Sequence, residues 1–263
     1  MPSERRQIDV KASYWLHGEG PIRVIVLHGW FVGSQVFEPM LAALDPERFS
    51  LAFVDYRGYG GALMADGPYT IETIADDVAC IANQLGWSRF AVVGHSMGGK
   101  AALRVAVDMG PRITQILGLT PVFAEPAPFG REQVALFRSA AYDPTARAAI
   151  LNHSTGGLLP ANWSNRMAAK SFETSQERAF ADYFESWAFS DFSQEVVNLS
   201  QEVLAVAGEH DAGVTEAAVK ASWIAKLPNA RFRRISGSGH YPMLETPLTL
   251  AAVFEEFLHS SET

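Results

Sequence analysis

The chain is short of the features that fix a protein's environment covalently or electrostatically. Among 263 residues there is one cysteine, Cys80, so no internal disulfide can form. Cys80 falls in the helical pattern Ile71 to Leu85, beside Val78, Ile81 and Leu85, where a packed, inert thiol is expected. Basic charge is scarce: 21 Lys and Arg stand against 29 Asp and Glu, a net charge of −8. Nucleic-acid binding needs a basic footprint, so no nucleic-acid partner is expected. The longest basic cluster, Arg231-Phe232-Arg233-Arg234, alternates with an apolar residue as a strand with one solvated face does. No apolar run approaches the ~20 residues that cross a bilayer, so no membrane partner is expected. The first residues, Met1-Pro2-Ser3-Glu4-Arg5-Arg6, lead into no apolar segment. A cytoplasmic protein without a secretory signal is the resulting expectation. The Asn-x-Ser sequons at Asn152, Asn162 and Asn198 then read as chance matches.

What is present is an ordinary globular balance, with 48% hydrophobic and 19% charged residues. The length suits one α/β domain with a large core, or such a domain with an insertion. Residues Gln7 to Leu16 alternate like an edge strand or hairpin. Six short apolar runs follow: Arg23–Leu27, Ser50–Val54, Phe90–Val93, Ile113–Leu119, Val203–Ala207 and Ala230–Ile235. Runs this short, bounded by turn residues, suit strands buried on both faces. Helical patterns alternate with them, over Phe37–Leu44, Thr70–Leu85, Met97–Met109, Thr215–Leu227 and Pro247–Leu258. Thr70 is a candidate N-cap, and Gly110-Pro111 halts the third helix. The alternation predicts an α/β fold: a mostly parallel twisted sheet with helices on both faces.

The alternation stops between about Pro121 and Ser193. Three prolines open this stretch, which then turns helical and aromatic and carries no strand signal. It reads as a helical cap, residues 121–193, inserted in a core made of residues 1–120 and 194–263.

The chemistry centres on Gly94-His95-Ser96-Met97-Gly98-Gly99. A G-x-S-x-G string is modest evidence alone. Here it directly follows an apolar strand and directly opens a helix. That setting lifts a serine hydroxyl above a sheet on a tight turn, with a helix N-terminus beneath it. Such a serine needs a base to take its proton during attack. Among seven histidines the best placed is His240, in the turn Gly237-Ser238-Gly239-His240 after the last strand. The base needs a carboxylate to fix its tautomer and stabilise its charged form. Gly208-Glu209-His210-Asp211 follows the strand at Val203–Ala207. Asp211 is the choice and Glu209 the competitor. The developing oxyanion needs two donors. The Met97 backbone N–H is one. The second comes from the loop His28-Gly29-Trp30-Phe31, through the N–H of Trp30 or, alternatively, of Phe31.

With these pieces in order the sequence resembles the α/β-hydrolase superfamily, in its branch of serine esterases, lactonases and perhydrolases with a helical cap. The matching segments are His28-Gly29-Trp30, Asp55-Tyr56-Arg57-Gly58-Tyr59-Gly60, Gly94 to Gly99, Gly208 to Asp211 and Gly239-His240. The resemblance implies a Ser96, Asp211, His240 triad and gives the Asp55–Gly60 loop a structural part only. Relatives with an aspartate nucleophile, such as haloalkane dehalogenases and epoxide hydrolases, are argued against by Ser96. The resemblance also implies that the cap closes over the nucleophile. Pocket candidates are Phe31, His95, Phe123, Trp163, Trp187 and Tyr241. No cofactor and no metal are expected. With no Arg or Lys cluster near the motifs, the expected partner is a small, neutral, apolar or aromatic ester or lactone, cleaved through an acyl-enzyme. The competing readings are a carbon–carbon hydrolase of ring-fission dienones and a ligand receptor with slow turnover.

Overall fold

Short β-rich runs become the centre of a sheet because every side chain in them finds an apolar neighbour. The computed structural model describes residues 11–259, so part of the expected edge strand at Gln7–Leu16 lies outside the described residues. Its strands are β1 (Ser13–His17), β2 (Ile22–Leu27), β3 (Phe49–Asp55), β4 (Phe90–His95), β5 (Ile113–Leu119), β6 (Glu202–Gly208) and β7 (Ala230–Ile235). They form one sheet in the order β1-β3-β2-β4-β5-β6-β7. Only β1 runs antiparallel to its neighbour; every other pairing is parallel. All of β4 is buried, and β2 exposes only Arg23. That is the signature of strands covered on both faces. β7 pairs with β6 alone and is half solvated. Its charges are used at the surface, where Arg233 pairs with Glu256 and Lys220 Nζ lies 4.6 Å from the Phe232 ring.

The helices outside the insertion are α1 (Glu38–Leu41), α2 (Ile71–Gln84), α3 (Met97–Met109), α9 (Glu216–Val219), α10 (Pro242–Glu245) and α11 (Pro247–Phe257). Thr70 caps α2, its hydroxyl accepting the Thr73 N–H at 3.2 Å. One helix is shorter than its pattern. The segment 37–44 yields a 3₁₀ turn at Ser34–Phe37 and the single turn of α1. Pro46 disfavours helical backbone at Asp45, which ends the segment. After α9 the chain widens into a π turn at Lys220–Ile224, where Trp223 is wholly buried. Cys80 is half-buried on α2, and burial pushes its thiol above the ordinary range.

Between β5 and β6 lie five consecutive helices: α4 (Arg131–Ser139), α5 (Pro144–Ser154), α6 (Ala161–Thr174), α7 (Glu177–Phe189) and α8 (Ser193–Val196). Lys100, fully buried on α3, ties both stems of this insertion to the helix behind Ser96. Its ammonium donates to the carbonyls of Glu125 at 3.0 Å, Trp187 at 3.0 Å and Ser190 at 2.6 Å. Burial pushes it down to about 8, so it is charged at neutral pH. A second buried cation, Arg147 of α5, lies between the rings of Phe172 and Phe180, 3.7 and 3.6 Å from their centroids. No helix among the described residues is long and apolar enough to cross a membrane.

The parallel register brings the strand ends to one edge. Leu27 pairs with Gly94, Gly94 with Gly118, Leu119 with Val206 and Gly208 with Ile235. The loops that leave β2, β4, β6 and β7 therefore meet above the carboxyl ends of the strands, where open parallel sheets place their sites.

Candidate active site

Ser96 follows β4 and caps α3 with φ +54° and ψ −117°. This backbone costs an L-residue on the order of 1–3 kcal/mol. It is held by the Ser96 N–H donating to Leu119 O at 3.0 Å and by Ser96 O accepting from Val122 N at 3.0 Å. The turn is so tight that a Cβ at Gly94 would stand 2.0 Å from the Gly98 carbonyl oxygen, so only glycine fits there. Met97 occupies the first position of α3, where helix geometry leaves its N–H without an intrahelical acceptor.

His240 and Asp211 meet directly. His240 Nδ1 donates to Asp211 Oδ2 at 2.6 Å, and both side chains are buried. The other carboxylate oxygen, Oδ1, accepts the N–H groups of Gly213 and Val214, each at 2.8 Å. Asp211 is thus fixed by its own loop and aims its free oxygen at the imidazole. Glu209 turns elsewhere, accepting the Gly237 N–H at 3.0 Å. Among the described residues the Ser96 hydroxyl makes no hydrogen bond to His240; the link between the two runs through their neighbours. His95 Nε2 donates to His240 O at 2.8 Å, and Thr120 Oγ1 donates to the same carbonyl at 3.1 Å. Burial pushes His95 well below the ordinary histidine range, so the ring is neutral. Its Nδ1 then carries a lone pair and has no hydrogen-bond partner among the described residues.

The His240 loop is gripped from below by a group that its sequence pattern did not single out. Glu245 Oε2 accepts the Gly239 N–H at 2.7 Å and Oε1 accepts the Tyr241 N–H at 2.8 Å. One carboxylate therefore brackets His240. Burial raises Glu245 above the ordinary carboxylate range, against the two N–H donors and His240. The insertion reaches the same loop, Ser154 O accepting the His240 N–H at 3.2 Å.

The loop after β2 lies against Ser96. A Cβ on Gly29 would stand 3.3 Å from Ser96 Cβ and 2.7 Å from His95 Nδ1. Trp30 is buried, its indole N–H donating to Phe180 O at 2.7 Å and its ring stacked on Phe180 at 4.0 Å. Phe31 packs edge-on against Trp30 at 4.9 Å and Phe180 at 5.5 Å. Trp187 joins this cluster, 5.7 Å from Trp30. Tyr241 sits between His95, His240 and Trp163, at 5.2, 5.3 and 5.8 Å. Phe123 lies apart from both groups, against Trp223 at 6.1 Å and under Lys226. Of the pocket candidates, Tyr241 lies against His240 and Trp163 against Tyr241, Phe31 and Trp187 belong to the Trp30 cluster, and His95 is tied to the His240 backbone. No cluster of metal-ligating side chains occurs among the described residues.

Asp55 organises the surrounding loops. Its Oδ1 accepts the Ser34 N–H at 2.7 Å and its Oδ2 the Gly61 N–H at 2.9 Å. Tyr59, from the same Asp55–Gly60 segment, reaches the loop after β2, its hydroxyl donating to Trp30 O at 2.6 Å. Neither Tyr59 nor Glu245 carries a local signal for these contacts, because both are made across the fold.

Comparison with known proteins agrees with this architecture. The model of the alpha/beta hydrolase fold matches residues 22–247. The chain belongs to the alpha/beta hydrolase fold family. A protein of Caulobacter vibrioides, named provisionally as carbamate hydrolase RutD, is 28% identical over 94% of this chain and 95% of its own. A pimeloyl-acyl-carrier-protein methyl ester esterase of Nitrosomonas europaea is 28% identical over 90% of this chain and 96% of its own. Among solved structures, Est816, described as an N-acyl homoserine lactone degrading enzyme, superposes with a TM-score of 0.80 at 23% identity, covering 94% of this chain and 96% of its own.

Proposed function

We propose that the protein is a serine hydrolase of carboxylic esters or lactones. The observation that carries this reading is the buried Asp211–His240 pair at 2.6 Å, in the sheet-edge cluster that holds the strained Ser96. The relatives that are esterases, at 28% identity along most of both chains, support it. Ser96 Oγ attacks the substrate carbonyl carbon while its proton passes to His240. The N–H groups of Met97 and Trp30 receive the oxyanion. The intermediate collapses, His240 returns the proton to the leaving oxygen, and an acyl-enzyme remains. Water, deprotonated by His240, then releases the acid and frees Ser96. The neutral tautomer needed for this is set by Asp211, which takes the Nδ1–H and leaves Nε2 as the base.

In this reading the insertion, residues 121–193, acts as a cap. Ser154, Ser171 and Phe180 touch the His240 and Trp30–Phe31 loops, and Trp163, Tyr241 and Phe31 offer aromatic surface to the acyl or alcohol part. A neutral substrate with an apolar or aromatic body suits such walls. The test is a panel of p-nitrophenyl esters, lactones and ring-fission dienones, assayed with wild type and Ser96→Ala. Esters or lactones turn over and Ser96→Ala is inactive. Full activity in Ser96→Ala overturns the proposal, and preferential turnover of dienones moves it to carbon–carbon cleavage.

A further inference from the structure

Three successive carbonyls of the loop after β2 are each taken by a side-chain donor from a different part of the chain. Gly29 O accepts from His28 Nδ1 at 2.6 Å. Trp30 O accepts from the Tyr59 hydroxyl at 2.6 Å. Phe31 O accepts from the Ser171 hydroxyl, on α6 of the insertion. His28 has no freedom to do otherwise. Its Nε2 accepts the Tyr56 N–H at 3.4 Å, and burial pushes the ring down to about 4, so the one proton sits on Nδ1. Tyr59 is wholly buried, and burial raises its phenol above the ordinary range, so it remains a donor. Ser171 accepts from Arg147 Nη1 at 2.7 Å, which leaves its own proton for Phe31 O.

A peptide is planar, so fixing its carbonyl fixes the direction of the N–H that it shares. A hydrogen bond accepted at the oxygen also polarises that N–H and makes it a better donor. The two peptide planes that flank Trp30 are held by His28 and Tyr59, and the plane after Phe31 by Ser171. The candidate oxyanion donors, the N–H groups of Trp30 and Phe31, therefore belong to peptides whose carbonyls are already committed. We propose that Tyr59 and Ser171 are positioning residues that hold the oxyanion loop by its carbonyls, one hydroxyl from the sheet domain and one from the helical insertion. The proposal rests on the serine-hydrolase reading. It makes the strength of the oxyanion hole depend on how the insertion is seated, through the buried Arg147–Ser171 pair.

Tyr183 supplies the control. It is buried in the same cluster, 5.7 Å from the Tyr59 ring, and its hydroxyl has no hydrogen-bond partner among the described residues. Wild type, Tyr59→Phe, Ser171→Ala, Tyr183→Phe and Ser96→Ala are compared on p-nitrophenyl acetate and for inhibition by phenylboronic acid. In the boronate adduct Ser96 Oγ bonds to boron, its proton passes to His240, and a boron-bound hydroxyl takes the oxyanion position. Deleting an oxyanion donor outright costs a hundredfold or more in kcat, so loosening its peptide is expected to cost about tenfold. Tyr59→Phe, which frees the peptide of the Phe31 N–H, lowers kcat by about tenfold; Ser171→Ala, which frees the next peptide along the same loop, lowers it by about threefold; both leave KM within about twofold and weaken phenylboronate in proportion to kcat/KM. Tyr183→Phe changes none of these. Unchanged kcat and boronate affinity in both variants, or an effect confined to KM, overturns the proposal. Alanine is a good helix former within α6, so Ser171→Ala carries the test if Tyr59→Phe does not fold. Failure of the underlying reading looks different: wild type then resists phenylboronic acid and Ser96→Ala keeps its turnover.

Discussion

Two loops meet at Ser96, and they are held differently. The His240 loop is held at both poles of its backbone: Glu245 accepts from Gly239 and Tyr241, Ser154 O accepts from His240, and His240 O accepts from His95 and Thr120. The loop of Gly29 to Phe31 is gripped by its carbonyls, through His28, Tyr59 and Ser171. In the proposed reaction the first arrangement sets a carboxylate beside a histidine that becomes an imidazolium, and the second takes up carbonyls and leaves N–H groups for an anion.

The comparison can be broken from its cationic side first. Asp211→Asn replaces the carboxylate that takes the His240 Nδ1–H. It is expected to lower kcat by a thousandfold or more, with near-native circular dichroism, because the imidazole loses both its tautomer control and its counter-charge. An Asn variant within tenfold of wild type removes Asp211 from the mechanism.

Glu245→Gln is the next largest. It keeps one acceptor but removes the charge that brackets His240. The groups facing this carboxylate are His240 and Asp211, with Tyr241 beside them. A fall in kcat of about tenfold is expected, comparable with general-base effects of loosened geometry. In addition the acid limb of kcat/KM moves to lower pH, because the imidazolium loses a neighbouring negative charge. A purely structural carboxylate lowers activity without moving that limb, so the pH profile decides between the two.

A further effect is on stability and comes from the other loop. His28 is held neutral by burial, pushed down to about 4 from an ordinary 6.5. Between those values the unfolded chain binds a proton that the folded chain refuses. Stability is therefore complete above pH 6.5 and falls as pH drops toward 4, by on the order of 3 kcal/mol from this residue. Buried His95 acts in the same direction. Thermal melts from pH 7 to pH 4 measure the fall. A His28→Asn variant melts lower at pH 7 and shows a flatter slope; an unchanged slope shows that another group carries the acid sensitivity.

The contrast between the loops also explains what could be read before any coordinates. β4, the elbow and α3 form one local unit in which apolar run, glycines and helix start follow each other, so residues 90–109 were legible as they stand. The oxyanion loop was recognisable as a turn after a strand, but its anchors were not. Tyr59 lies 29 residues from Trp30 and Ser171 lies 140 from Phe31. The Asp55–Gly60 segment was expected to be structural only. Asp55 fits that, and Tyr59 extends the same structural part to the loop after β2. The helix pattern over Phe37–Leu44 was cut short by the chain's turn towards Pro46, whereas that over Thr215–Leu227 held with a π turn inside it.

By itself the sequence determined the mostly parallel sheet, the strand-free stretch between β5 and β6 and the serine on its turn between β4 and α3. Those depend on periodicity and on residues adjacent in the chain, which physical chemistry constrains locally. Only the tertiary structure decided that Asp211 rather than Glu209 meets His240, that one carboxylate brackets His240, and that a core tyrosine and a distant serine take carbonyls of the loop after β2. Those contacts join residues far apart in sequence, and no local propensity encodes a partner that the folded sheet alone brings within hydrogen-bond range.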